Sequence, residues 1–385
     1  MLRQISVFLC SFVPKQKKLV LCTAWFGQKY IDNPKYVYEF LLEHSDYNVV
    51  WMTHSHVIYN QLRKEGKPVA FFNTLHGIIL QIRAQAIFST VQLSEFNSFF
   101  LSKVIHIDLG HGHPIKDSGA KSWDSYVFKV ESMYLKHNYF HAICASQFAA
   151  EKLLEIVPTL NINNVFISDS PRNDVFVNKN LQKGKNQVVL DFKKGRKAIV
   201  YMPTQRSSGN KYMHMDKILP LKEIQSICEK YNCVFIIKKH FYHRNETEQL
   251  DGYSNILDIT NIDNIDPQVL LCQADILITD YSACYIDFML LNRPMLFYQY
   301  DFDDFQLNER SLYFPFKSLN IAPIAYNHNE LIYSLINIIS SENDEFCKNR
   351  NSFAPTYFAN LKQKDGCLKV KKILDKLMSK YYSKS

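Results

Sequence analysis

Residues 274–288 read ADILITDYSACYIDF, running from Ala274 to Phe288. An unbroken apolar run, Ile276-Leu277-Ile278, closes on Thr279-Asp280, and after Tyr281 a Ser begins a stretch with helical spacing. A strand that is apolar on both sides belongs inside a parallel sheet, and a helix directly after it is the crossover of a βαβ unit. Ser282 is therefore expected to cap that helix, with the first free N–H groups forming an anion site at the strand's carboxyl end. Simple capping without a ligand stays open, because Ser at a helix start needs no function to explain it. Asp280 is placed to orient His or Lys groups or to bind a diol.

The same pattern repeats outward from this stretch. Strand-like runs are expected at 198–202, 234–238, 275–279 and 295–298, with helices near 221–231 and 282–291. An earlier series has strands at 18–23, 48–52, 69–72, 86–89, 104–108 and 142–145. Between its first two strands, Asp32-Asn33-Pro34 supplies a capping side chain and an early Pro for a helix over 35–43. The Lys-, Asn- and Gly-rich stretch 178–197 separates the two series and is expected to link two domains, 1–177 and 198–350, with a basic helical tail over 351–385. Two doubly wound sheets place ligands at the carboxyl ends of their strands.

Composition sets outer limits. A chain of 385 residues with 47% hydrophobic and 14% aromatic content exceeds one core, and it is far from the polar, aromatic-poor signature of disorder. The nine cysteines are scattered without a CxxC pair or zinc spacing, as expected for small apolar core residues in a reducing compartment. A formal charge of +8 favours anionic surfaces or substrates without choosing between them. The apolar opening, 1–13, is closed by Pro14 and Lys15, Lys17 and Lys18, well short of the ~20 residues that span a bilayer. It lacks a signal-peptide cleavage site, so the expectation is packing on the first domain or contact with a membrane surface.

Three further loops carry candidate chemistry. After 104–108 comes Gly110-His111-Gly112-His113-Pro114-Ile115-Lys116, in which glycines let a ligand approach and an imidazole can remove a hydroxyl proton. A turn whose histidines bond neighbouring carbonyls is the alternative. Pro203-Thr204-Gln205-Arg206 ends the strand at 198–202 with an Arg suited to bidentate phosphate binding. Lys238-Lys239-His240 ends the next strand, and His240 can bond a phosphate oxygen or simply lie at the surface. Asp301, Asp303 and Asp304 invite a Mg²⁺ reading, but adjacent acids are more often a solvated turn; Mg²⁺ is the one cofactor left open, and no metal ligand is assigned. No Walker lysine loop, GxGxxG, Gly-x-Ser-x-Gly elbow or zinc motif occurs.

Six segments, spread over roughly residues 17–320, occur in an order that resembles one family. They are Asn33-Pro34-Lys35-Tyr36-Val37-Tyr38-Glu39; His111-Gly112 with Pro114 and Lys116; Pro171-Arg172-Asn173-Asp174; Met202-Pro203-Thr204-Gln205-Arg206; Ile237 to His240; and Asp275 through Asp287 to Arg293-Pro294 and Tyr300-Asp301. The chain resembles the CDP-glycerol:glycerophosphotransferases, the teichoic acid primases and polymerases with related capsule polymerases. The resemblance implies a GT-B fold of the α/β class: two Rossmann-like domains facing across a cleft, with a C-terminal helical segment. It implies His111 as catalytic base, with His240 also catalytic, and Arg206, Pro203, Thr204, Thr279, Asp280 and Ser282 around the diphosphate of a donor held mainly by the second domain. Gly112, Lys116, Arg172, Asn173, Asp174 and Asp287 are its supporting positions. His113 stands where the family has Thr, and Ala283 where it has a second Ser.

The reaction so implied moves glycerol phosphate, or a related polyol phosphate, from CDP-glycerol or another CDP-polyol to a hydroxyl on a lipid-linked or polymeric glycan, releasing CMP. A glycosyltransferase using a nucleotide-sugar on the same fold is the nearest alternative, and a non-catalytic scaffold of polymer export the more distant one. The expected location is the cytoplasm, with the inner face of the membrane as a further surface and no role for nucleic acid.

Overall fold

A computed structural model describes the chain except residues 1, 92–94, 118–133, 136, 158–159, 206–213, 241–249, 251, 310, 342, 363–364 and 384–385, and without the side chains of 2–4. Contacts divide it into two compact units. Unit 1 comprises Met1–His111, Ser118–Asp174 and Phe358–Ser385; unit 2 comprises Gly112–Asp117 and Val175–Tyr357.

Unit 1 is built on a seven-stranded sheet with every pairing parallel. Its strands are β1 (Leu19–Cys22), β2 (Asn48–Thr53), β3 (Val69–Phe71), β4 (Ala86–Ser89), β5 (Ile105–Asp108), β6 (Tyr139–Cys144) and β7 (Val165–Ile167), in the order β3-β2-β1-β4-β5-β6-β7. The central strands β1, β4 and β5 are buried along their whole length, which is why they read as largely apolar runs instead of alternating ones. One face packs against helices Asp32–His44 and Gly366–Tyr382, whose Val370, Leu374 and Leu377 join Val20, Trp51 and Phe88 in one core. Each of those three helix side chains contributes about 1.5–3 kcal/mol by leaving water. The other face buries Leu19, Met52, Phe72, Ile87 and Phe140 beneath helix Leu75–Arg83.

Unit 2 has six parallel strands: β8 (Lys197–Met202), β9 (Cys233–Ile237), β10 (Ile256–Asp258), β11 (Ile276–Thr279), β12 (Met295–Tyr298) and β13 (Ile324–Ala325), ordered β10-β9-β8-β11-β12-β13. The chain order within each sheet reverses once, between β1 and β4 and between β8 and β11. This is the topology of Rossmann-like sheets, and the reversal point is where such sheets hold ligands.

All ten strands expected from sequence are present, within three residues at each end. The three it missed, β7, β10 and β13, are edge strands of two or three residues and are only partly buried, so they carry too short an apolar signal. The 178–197 stretch, expected as a linker, belongs to unit 2. It contains helix Gln187–Lys193, preceded by Asn186, whose side chain donates to the Asp266 carbonyl and accepts from the Asp266 amide. Unit 1 ends its middle segment at Asp174 and regains the chain at Phe358, so the tail expected over 351–385 begins in unit 2 and finishes in the core of unit 1. Asp32 does not cap the helix it begins: it lies at φ 69°, and Ile31, in the capping position, offers no side-chain bond.

Candidate functional site

The reversal point of unit 1 is lined by the segments after β1 and β4. After β1 the backbone of Trp25 and Phe26 takes left-handed φ values of 51° and 55°, unusual for bulky residues. Hydrogen bonds hold them there: Trp25 N–H donates to Thr90 Oγ1 at 3.0 Å and Phe26 N–H to Glu95 Oε1 at 2.9 Å. Gly27 continues the turn at φ 70°, where a Cβ would lie 2.9 Å from the Phe72 ring.

His111 follows β5. Gly110, at φ 61°, turns the chain, its N–H donating to Asp108 Oδ1 at 3.2 Å. The exposed imidazole makes one described hydrogen bond, Nδ1 to the Thr90 carbonyl at 3.0 Å, and meets the Trp25 ring edge-on at a centroid distance of 5.0 Å. A carbonyl only accepts, so Nδ1 carries the proton and Nε2 presents its lone pair. This is the tautomer a general base requires.

Asn33 ties three of the sequence segments together around that loop. Its Nδ2 donates to the carbonyls of Leu109 (2.9 Å) and Gly110 (3.3 Å), while its Oδ1 accepts from Arg172 N–H (3.1 Å). Arg172 in turn pairs with Asp32 at 2.9 Å, and Asp32 Oδ2 accepts from Trp25 Nε1 at 3.3 Å. Asn173 is fully buried. Asp174 accepts from the amides of Gly366 (2.7 Å) and Cys367 (2.8 Å), capping helix Gly366–Tyr382; burial raises its carboxyl above the ordinary range. Arg172, Asn173 and Asp174 thus act on the scaffold, and Arg172 is committed to Asp32.

In unit 2, Gly112–Asp117 runs antiparallel to residues 311–313, with Asp117 N–H donating to Ser311 O and Tyr313 N–H to Ile115 O. His113 is buried, with Nε2 3.1 Å from Asp287 Oδ1, and Gln268 donates to the other Asp287 oxygen at 3.2 Å. Asp287 therefore anchors this loop. Lys116 Nζ lies 3.6 Å from Glu309 and 4.9 Å from the centroid of the Phe305 ring.

The reversal point of unit 2 gathers Pro203, Thr204, Thr279, Asp280 and Ser282 at the ends of β8 and β11. Thr279 is buried and donates its hydroxyl to Met202 O at 2.7 Å, tying the two strands together. Asp280 is also buried; its Oδ1 accepts from Thr204 N–H at 2.8 Å and Tyr281 N–H at 2.5 Å, so it shapes both loops at once. Ser282 does not cap the following helix. That helix, Cys284–Met289, starts two residues later than the expected 282, from Ala283 without a side-chain cap, and Ser282 Oγ accepts a long 3.4 Å bond from Cys284 N–H. His240 lies half-buried just past β9, after Lys239, whose ammonium is fully buried 4.0 Å from Asp258. Arg206 falls outside the described residues. Among the described residues no three His, Cys, Asp or Glu side chains gather so as to hold a metal ion.

Sequence reasoning passed over Thr90 and Glu95. Their only signal was position: a hydroxyl and then an acid shortly after a strand buried along its length.

The sequence model of the family described as CDP-Glycerol:Poly(glycerophosphate) glycerophosphotransferase matches residues 5–368. The teichoic acid glycerol-phosphate transferase of Staphylococcus aureus (strain NCTC 8325 / PS 47) is 25% identical over 361 residues, covering 85% of this chain and 86% of the relative. A teichoic acid ribitol-phosphate primase of Bacillus spizizenii (strain ATCC 23059 / NRRL B-14472 / W23) is 30% identical over 246 residues, 60% of each chain. Among solved structures, the wall teichoic acid polymerase TagF superposes with a TM-score of 0.76 over 98% of this chain and 93% of its own, at 18% identity. The UDP-GlcNAc 2-epimerase of Methanocaldococcus jannaschii shares the fold more loosely, with a TM-score of 0.56 over 94% of this chain and 99% of its own, at 11% identity.

Proposed function

Because the chain belongs to the CDP-Glycerol:Poly(glycerophosphate) glycerophosphotransferase family and is a transferase of that class, we propose that His111 is the base of a glycerol-phosphate transfer from CDP-glycerol, or a related CDP-polyol, to a hydroxyl of a teichoic-acid-like acceptor. The acceptor oxygen attacks the β-phosphorus, its proton passes to His111 Nε2, and the bond to CMP breaks. Charge that builds on the departing CMP phosphate is met by Arg206, by His240 and by polar groups of the two loops that Asp280 shapes, so catalysis rests on positioning and electrostatics. One observation carries the assignment: Nδ1 of His111 is engaged by a carbonyl, which leaves Nε2 to accept a proton.

Loss of a positioned base costs about 10²–10⁴ in rate. His111→Ala is therefore expected to lose CMP release from CDP-glycerol by that factor while binding CDP-glycerol normally in calorimetry. Wild-type turnover in that variant would remove His111 from the role.

The lipid-linked acceptor and the inner membrane face belong to the same reading. Helix Leu2–Cys10 turns Val7 and Cys10 inward and leaves Phe8 61% and Leu9 60% exposed, followed by Phe12 at 70%. Exposed Lys17 and Lys103 lie at its end, with Lys103 Nζ donating to Ser11 O. An apolar face beside cations suits a helix lying in a lipid interface, and no helix among the described residues is long and apolar enough to cross a membrane. Flotation with phosphatidylglycerol vesicles should carry the wild type and release the variant Phe8→Ser/Phe12→Ser; equal flotation of both would reject this surface.

A further inference from the structure

We infer that Glu95 is a positioning residue for His111: its buried carboxylate holds both the Thr90 carbonyl that receives the imidazole N–H and the Trp25-Phe26 turn against which the ring rests. The inference rests on the reading of His111 as base and adds to it a part that no sequence segment of the family resemblance contains.

Glu95 is 5% exposed and takes three described hydrogen bonds. Its Oε2 accepts from Thr90 N–H at 2.6 Å; its Oε1 accepts from Thr90 Oγ1 at 2.7 Å and from Phe26 N–H at 2.9 Å. The Thr90 hydroxyl, donating to Glu95, accepts from Trp25 N–H at 3.0 Å. A buried carboxylate is costly unless its lone pairs are filled, and a well-packed apolar side chain would hold the same space at lower cost. Here all three bonds converge on the two segments that touch His111, so the carboxylate is spent on that geometry. The turn at Trp25 and Phe26 lies in a region bulky residues avoid, and it is the grip of Thr90 and Glu95 on successive amides that keeps it there.

The arrangement has an electrostatic consequence. When His111 takes a proton from the acceptor, positive charge appears on a ring linked through a single residue, Thr90, to an anion. Two further carboxylates bear on this loop: Asp32, paired with Arg172, accepts from the Trp25 indole, and Asp108 accepts from the Gly110 amide. Neither touches the Thr90 carbonyl in the described hydrogen bonds. Removing the anion takes away an acceptor that steadies the positive ring formed during transfer.

Glu95→Gln tests this. The carboxamide brings its own N–H₂ against donors that need acceptors, so the Thr90 carbonyl and the Trp25 turn lose their reference. The expected result is a fall in kcat of about 10- to 100-fold with KM for CDP-glycerol unchanged, and a changed ¹⁵N signal for His111 Nδ1, which reports the bond to the Thr90 carbonyl. Lower thermal stability with wild-type kcat and an unchanged His111 Nδ1 signal would mean a purely structural role and overturn the inference. Should Glu95→Gln fail to fold, Thr90→Val takes its place, deleting the hydroxyl between Glu95 and Trp25 while keeping the carbonyl. A reduced kcat at constant KM supports the inference there, and wild-type kcat overturns it. His111→Ala, measured alongside, separates the two claims: turnover surviving in that variant defeats the base assignment, whereas an inactive His111→Ala with an unaffected Glu95→Gln defeats only the role of Glu95.

Discussion

Some side chains that stand out in the sequence are held in place by residues that do not. His111 lies among glycines and is conspicuous, but its usable nitrogen is chosen by the carbonyl of Thr90, which no pattern singled out. Asp280 was legible as important, and its role turned out to be internal: it accepts from Thr204 and Tyr281 amides at the reversal point of unit 2. Asp280→Ala leaves those donors without this acceptor, and a buried unmet donor costs about 1–3 kcal/mol. Urea unfolding should show a loss of that size together with weaker CDP binding in calorimetry. Asp280→Asn retains an acceptor oxygen and should lose less on both counts.

Among the elements, β5 shows how a polar residue can sit inside an apolar strand. His106 is fully buried, with Nε2 2.6 Å from Ser89 Oγ on β4 and Nδ1 2.8 Å from the Tyr134 hydroxyl, so a neutral ring fills one donor and one acceptor role. Burial pulls its pKa down from 6.5 to about 3. The folded-state value is depressed, so the stability contributed is complete above about pH 6.5 and is lost as the pH falls toward 3, because the unfolded chain takes up a proton the folded one refuses. The slope is about 1.4 kcal/mol per pH unit for one group. Chemical denaturation at successive pH values should show this decline in the wild type and a shallower one in His106→Asn. The helices divide in the same way between what spacing reveals and what it hides. The apolar face of Gly366–Tyr382 can be read from its spacing, whereas the cap on its first turn comes from Asp174, far away in the chain.

At the scale of the whole molecule, unit 1 is completed by chain that arrives last. Val370, Leu374 and Leu377 cover the core face built by β1, β2 and β4, where Leu→Ala alone would cost about 2–5 kcal/mol. A chain ending at residue 357 should therefore express as insoluble or aggregating protein, seen by size-exclusion chromatography, while unit 2 retains all of its own contiguous segment. Soluble, monomeric protein of that length would show that the last helix is dispensable. Both parallel sheets could be anticipated from residue order alone, because a strand buried on two faces must be apolar throughout, and that demand is local. Edge strands, the true limits of the units and the membership of 178–197 could not, since short or half-wet segments carry little apolar signal. Nor could the partners of His111, His113 and Asp280 be anticipated. A hydrogen bond reaches about 3 Å in space and is blind to separation along the chain, so Thr90, Glu95 and Asp287 gained their roles only once the loops had been folded against one another.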